Sequence, residues 1–395
     1  MSVGVKAEIV ENADIDRDTP QPEIHIEERR LKLLDFCKTA IKVNGSDIHL
    51  QAGSIPMIRV DGRARFLDCL PLTDEDMKEY VDQIMDAQAE PAEKRHILEH
   101  KGSVDVAYGM PGKEARFRTS VFHSRERLAV VMRRIVTKIP RFDDLNLPPQ
   151  VEKLAEHHRG IVIVSGTTGS GKSTSLAAII GQINRSRAER IITVEDPVEY
   201  QHENAKSLVS QVEVGTDSES YEHALRAMMR QDPDTILVGE IRDTFSLSTA
   251  LRAADTGHLV FTTVHATNAP MTIERMVSLF DPLQRELQQT QLGLNLVAVL
   301  CQRLAKRRDG KGRIPVVEIM MATPIVRKYI LEGEFEKLKG TVGAKEAGSQ
   351  SFDQHLTELF QKQIIDVNEA KRLASNVDAL TLALRGISNS DTRLK

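Results

Sequence analysis

The sequence predicts an α/β chain, with a parallel sheet in its second half, a smaller α+β domain ahead of it and helices behind it. Three observations carry this. From residue 160 to residue 264, short β-branched runs alternate with helical ones, the pattern of strands joined by crossover helices. From residue 46 to residue 132, strand-like stretches follow one another with alternating side-chain character, as a mostly antiparallel sheet requires. The third is Gly166-Thr-Thr-Gly-Ser-Gly-Lys-Ser173, which fits the phosphate-loop pattern G-x-x-x-x-G-K-[ST] and lies between a strand and a helix.

Taken in order, residues 1–28 hold eight acidic residues against Lys6 and Arg17. A segment so charged buries too little apolar surface to fold alone and reads as a disordered, solvated tail. The α+β domain is expected over residues 29–145. It opens with a helical pattern at Leu31–Cys37, then strand-like runs at Ser46–Leu50, Pro56–Val60, Val104–Tyr108, Ala115–Phe122 and Leu128–Met132. Pro140, Pro148 and Pro149 crowd one short stretch, which suits a linker and sets a boundary near 145–150. Residues 146–340 then read as strand 160–165, helix 172–184, strand 190–195, helix 219–231, strand 235–239, helix 244–255 and strand 258–264. Two or three terminal helices fall between residues 351 and 385, inside a segment 341–395. The run Arg303–Arg308 reads as a helix end with solvated charges rather than a nucleic-acid patch, because no aromatic residue is interleaved.

In such sheets ligands bind beyond the carboxyl ends of the strands. Each parallel strand here ends on polar chemistry: the phosphate loop after the first, Glu195 and Asp196 after the second, Glu240 after the third, His265 after the fourth. Gly166, Gly169 and Gly171 let the backbone N–H groups of the loop, with Thr167, Thr168 and Ser170 between them, wrap phosphates at a helix N-terminus. Lys172 is then expected on the β- and γ-phosphates, and Ser173, followed by Thr174, at a Mg²⁺ ion. The ligands implied are ATP and Mg²⁺; no N-K-x-D segment follows that would read guanine. Hydrolysis needs one carboxylate to hold Mg²⁺ through its water shell and another to orient the attacking water, and Glu195 and Glu240 are placed to divide that work. Either could instead serve the fold, by capping a helix or pairing with Arg242.

His258 and His265 flank one strand at an odd spacing, so they cannot be equivalent ligands. Arg116 and Arg118 share one strand face, in a group with Arg125, Arg127, Arg133 and Arg134. A guanidinium brought by a neighbouring subunit can accelerate phosphoryl transfer by roughly 10³ to 10⁵. Solvated strand-face charge is the plainer reading for most of the six.

Composition narrows the alternatives. A net charge of −4, an aromatic content of 4% and the absence of tryptophan leave no basic, stacking surface for nucleic acid. No stretch is apolar enough to span a membrane and the N-terminus lacks a secretory layout, so a cytoplasmic protein is expected. Cys37, Cys69 and Cys301 show neither disulfide nor zinc spacing and read as buried small hydrophobes.

The loop GTTGSGKST, the segment ITVEDPVEY, the strand ILVGEIRD and the stretch TGHLVFTTVHATNA together resemble the four signature boxes of the secretion-motor ATPases of type II secretion and type IV pili. SDIHL and MIRVDGR in the first domain, and FDQHLTELFQKQII near the end, resemble the pilus retraction (PilT) branch. The resemblance spans residues 30 to 385. It implies a RecA-like ATPase core preceded by a PAS-like domain, assembled as a homohexamer with ATP at the junction between subunits. It implies Glu195 as general base, Glu240 as the Mg²⁺-associated acid, His265 as a reporter of the γ-phosphate with His258 in the same box, and Arg116, Arg118 and Arg133 as arginines that reach a neighbour's nucleotide. It also implies an ATP-driven motor of pilus retraction and twitching motility, peripheral at the inner membrane through a platform protein, with a paralogous pilus ATPase as a further partner. The extra N-terminal domain and four-cysteine zinc module of assembly motors have no match here, which favours retraction over extension. A pilus assembly or type II secretion ATPase and an accessory retraction paralogue are the nearest alternatives, and a nucleic-acid translocase is the remote one. The family's C-terminal A-I-R-N-L-I-R motif is kept only in part, as Pro324–Ile330.

Overall fold

The computed structural model describes residues 31–385 apart from residues 61, 89, 113–114, 136–138 and 311, so the acidic tail lies outside the described residues. The chain divides into two compact units, Met1–Thr137 and Lys138–Lys395.

The first unit is one antiparallel sheet with helices against it. Its strands are β1 (Asp47–Gln51), β2 (Met57–Val60), β3 (Arg63–Phe66), β4 (Ser103–Gly109), β5 (Arg116–Ser124) and β6 (Arg127–Ile135), in the order β3-β2-β1-β6-β5-β4. Alternation decides which side chains go inward. Ile48, Leu50, Ile58, Phe117, Val121, Val130 and Met132 form a core with Leu33, Phe36 and Cys37 of helix Leu33–Lys42 and with Met77, Ile84 and Met85 of helix Asp74–Asp86. Thr73 caps the latter by accepting the Asp76 N–H, while the Asp76 carboxylate accepts the Thr73 N–H at 2.9 Å. Burial pushes the Cys37 thiol up to about 12, in keeping with a small core hydrophobe.

The second unit is built on β7 (Gly160–Ser165), β8 (Arg190–Glu195), β9 (Leu208–Glu213), β10 (Thr235–Val238), β11 (Leu259–Val264), β12 (Leu296–Lys306) and β13 (Arg313–Met321), in the order β13-β12-β7-β11-β10-β8-β9. All pairs are parallel except β12 with β13. Every residue of β7 is buried, because helices cover both faces of the sheet. Ile161 and Ile163 face a core that includes helix Thr244–Asp255, whereas Val162 and Val164 face helix Lys172–Ser186. Phe142 and Val151, from the proline-rich stretch, join that second core, and the division between the units falls ahead of them. Phe352, Leu356 and Leu359 of helix Phe352–Gln361, with Ala370 and Leu380 beyond, pack in the same core as Ile161, so the terminal helices share the core of the sheet.

Strands β9, β12 and β13 were not foreseen from the sequence. Arg303 corrects the reading of Arg303–Arg308: it lies within β12, half-buried, and not at a helix end. The bulk of that strand is held by its register with β13 over nine residue pairs, a partnership invisible in the local pattern.

Candidate active site

The loop after β7 is shaped by its glycines. Gly166, Gly169 and Gly171 have φ of +147°, +75° and +89°, a region that favours residues without Cβ. A Cβ at Gly166 would also meet the Gln302 carbonyl oxygen and the Ser170 hydroxyl, each at 2.5 Å, and one at Gly171 would meet the Gln302 side chain at 2.7 Å. Gln302 on β12 is thus the floor of the loop, and its Oε1 accepts from the Ser175 hydroxyl at 2.8 Å. Sequence reasoning missed Gln302, since 127 residues separate it from Ser175.

Helix Lys172–Ser186 begins at the lysine itself, so Lys172 and Ser173 sit in its first turn. Lys172 Nζ donates to the carbonyls of Gly166 at 2.9 Å and Thr167 at 3.1 Å. Burial pulls its pKa below the usual lysine range, while Glu240 and Glu199 oppose that shift. The Ser170 hydroxyl is buried with no hydrogen-bond partner among the described residues, a group that a phosphate oxygen can satisfy. Thr174 Oγ1 lies 2.8 Å from the Tyr200 hydroxyl, which ties the first helical turn to the segment after β8. The glycine cradle, the lysine and the helix N-terminus fit a nucleotide triphosphate. The Ser173 hydroxyl in the first helical turn, with Glu240 near enough to act on the adjacent Lys172, offers oxygen donors of the kind Mg²⁺ takes.

The strand ends bring the acids together. Gly239 permits this: a Cβ there would meet the Val194 carbonyl at 3.0 Å and Glu195 Cα at 3.3 Å. The glycine ahead of Glu240, unusual for such a strand end, is therefore what lets β10 close on β8. Glu195 accepts from Thr193 Oγ1 at 2.7 Å and from Gln211 Nε2 at 3.2 Å. Burial nevertheless pushes its carboxyl up to about 7, the two hydrogen bonds opposing. A carboxyl poised there can take a proton from water at neutral pH.

Glu240 is held from several directions. Arg242 Nε donates to Glu240 Oε2 at 3.0 Å and Arg242 Nη1 to Asp196 Oδ2 at 3.0 Å. The pairing of Glu240 with Arg242, weighed as a structural alternative, is thus real and coexists with a place at the loop. His265 Nε2 lies 3.2 Å from Glu240 Oε1. Tyr221 was missed by sequence reasoning. Its hydroxyl donates to the Glu240 carbonyl and accepts the Glu240 N–H, both at 3.0 Å. Burial pushes that phenol up to about 12, so it stays protonated and donates throughout the physiological range. No local spacing announces it.

His258 is not brought to this cluster. It precedes β11 at the end opposite His265, roughly 20 Å away at ~3.3 Å per strand residue. Its Nδ1 lies 2.9 Å from the Ala253 carbonyl and 3.1 Å from Thr256 Oγ1, where it finishes helix Thr244–Asp255. In the first unit Arg118 and Arg133 are directly opposite across β5 and β6, and Arg116 lies two residues from Arg118 on the same face. Their like charges are offset by Asp47, which accepts from Arg133 Nε at 2.9 Å, and by Asp105, 3.7 Å from Arg118.

Comparison with known proteins identifies the family. Residues 29–372 match the family model described as type II/IV secretion system protein. The chain is 38% identical to "Type IV pilus ATPase PilU" of Pseudomonas aeruginosa, over 89% of this chain and 91% of that protein. It is 37% identical to "Type IV pilus retractation ATPase PilT" of the same organism, over 87% and 98% respectively. Among solved structures, the pilus retraction motor PilT with bound ADP superposes with a TM-score of 0.79 at 37% identity, over 88% of this chain and 98% of that one.

Proposed function

For a chain that belongs to the type II/IV secretion system protein family, we propose the activity of an ATP-hydrolysing motor of type IV pilus retraction. The single observation that carries it is the convergence of the phosphate loop, Glu195, Glu240 and His265 at adjacent strand ends in a relative of pilus ATPases. Lys172 and the loop N–H groups bind the phosphates; Glu195 takes the proton of the attacking water; His265 meets the γ-phosphate beside Glu240. Mg²⁺, when bound, would neutralise phosphate charge as the bond to the leaving group breaks, with Ser173 and, through water, Glu240 holding it. Arg116, Arg118 and Arg133 complete a neighbouring subunit's site in a homohexamer, and His258 acts only in the helix end that it caps.

The mechanical output passes to a membrane-embedded platform protein. No helix among the described residues is long and apolar enough to cross a membrane; in this reading the motor works at the cytoplasmic side of the machine. Phosphate release by the full chain, alongside its mass in solution with and without ATP, tests the proposal. Lys172→Ala is expected to lower turnover by roughly 10² or more and to stop pilus loss from the cell surface; unchanged turnover in that variant refutes it.

The chain is 38% identical to a protein described only as a type IV pilus ATPase and 37% identical to a retraction ATPase, and an accessory role in retraction is therefore kept as a second reading. Complementation of a strain lacking its main retraction motor separates the two: restored retraction assigns the main role, and retraction only alongside an inactive main motor assigns the accessory one.

A further inference from the structure

The loop from His265 to Asn268 is fastened from behind by two side chains of the β12–β13 ribbon. Arg303 Nη2 donates to the Thr267 carbonyl at 3.3 Å, and Glu318 Oε1 accepts the Ala269 N–H at 2.7 Å. Arg303 is itself gripped by the terminal helices. Its guanidinium lies 3.8 Å from the centre of the Phe352 ring, and Nη1 donates to the Leu373 carbonyl and lies 3.4 Å from Ser375 Oγ. Asp353 fixes that end by accepting the N–H groups of Ser375 at 2.7 Å and Asn376 at 3.0 Å. The same loop leads into helix Ala269–Ser278, where Thr272 Oγ1 donates to Ser165 Oγ at 2.9 Å, immediately before Gly166.

We infer that Arg303 is a positioning residue for hydrolysis: it straps the His265 loop to the terminal helices 352–384, so that this segment is a working part of the ATP site. A planar guanidinium suits the task, because it can stack on a ring and donate along two directions at once. Lysine offers one point charge and no plane. Without the strap, the Thr267 carbonyl loses its donor from the β12–β13 ribbon, and the loop keeps Glu318 at Ala269, Thr272 at the Asn268 carbonyl and Arg275, which donates to the His265 carbonyl. His265 then wanders from Glu240, and a displacement of about 1 Å in a catalytic constellation can cost roughly 10²-fold in rate. The inference rests on the reading of His265 as a residue of the hydrolysis site.

A double-mutant cycle tests it, using the full chain with phosphate release, KM for ATP and melting temperature read for each variant. Arg303→Met is expected to lower kcat roughly tenfold or more, with KM and melting temperature close to wild type, and Arg303→Lys to recover part of the loss. In a His265→Ala background the same Arg303→Met change is expected to cost less than about twofold, because the residue it acts through is gone. Equal fold-losses in both backgrounds, wild-type kcat in Arg303→Met, or a lost turnover that follows only a fall in melting temperature each assign Arg303 to packing and overturn the inference. A wild-type chain that releases no phosphate, or a Lys172→Ala chain that still releases it, defeats the ATPase reading instead and takes this inference with it.

Discussion

In the antiparallel sheet of the first unit one face is packed and the other carries charge, whereas the parallel sheet of the second unit is packed on both faces. Along β5, Phe117, Thr119 and Val121 are buried while Arg116, Arg118 and Ser120 are not. Along β7 no residue is exposed. A sheet covered on both sides has only its strand ends for chemistry, and there Glu195, Glu240 and His265 stand. A one-sided sheet can present chemistry on its face, as a transverse row that runs Arg118, Arg133, Asp47, Arg59 across four strands. Asp47 is 6% exposed and sits among these guanidinia, so the row is a charged network and not loose surface charge.

The comparison breaks most sharply at Arg118. If the face of the first sheet serves a neighbour's nucleotide, Arg118→Ala in the assembled protein lowers phosphate release by roughly 10³ to 10⁵, with nucleotide binding and melting temperature near wild type. Unchanged turnover would leave the row with a structural role alone. Next comes the strand end. Glu195→Gln is expected to lower kcat by roughly 10² to 10⁴ while fluorescent nucleotide still binds. The pH profile sharpens this. The folded carboxyl is raised to about 7 and acts deprotonated, so kcat/KM should rise with pH through about 7, and that limb should vanish in the Gln variant. A limb near the ordinary carboxylate range would place the base elsewhere. The smallest effect separates the two sheets by packing: Ile163→Ala in β7 should cost about 2–5 kcal/mol in chemical unfolding. Ser120→Ala on the open face of β5 should cost less than about 0.5 kcal/mol. Similar costs at both positions would erase the distinction between a covered and a half-covered sheet.

Legibility followed the reach of the interactions. Helix Thr244–Asp255 and strands β7, β8 and β11 were readable because their signals are local: β-branched runs, a helical period, and an Asp243 cap accepting the Ser246 N–H at 2.8 Å. Gln302, Tyr221 and Arg303 were not, since each acts on a backbone or loop brought close only by the sheet. The charged end of β12 even suggested the wrong element. Composition there described solvated charge, but Phe352 and the Leu373 carbonyl, contributed from about fifty and seventy residues on, make Arg303 a half-buried strap.

By itself the amino-acid order determined the α/β alternation, the phosphate-loop conformation and the residue types at the strand ends, because short-range sterics, glycine backbone freedom and side-chain period act within a few residues. Tertiary structure alone decided which of those residues meet. Parallel pairing put His265 beside Glu240 and left His258 at the far end, and it set Gln302 beneath the loop and Tyr221 on the Glu240 backbone. Such contacts depend on strand order and register, which arise from the packing of distant segments and leave no periodic trace in the chain.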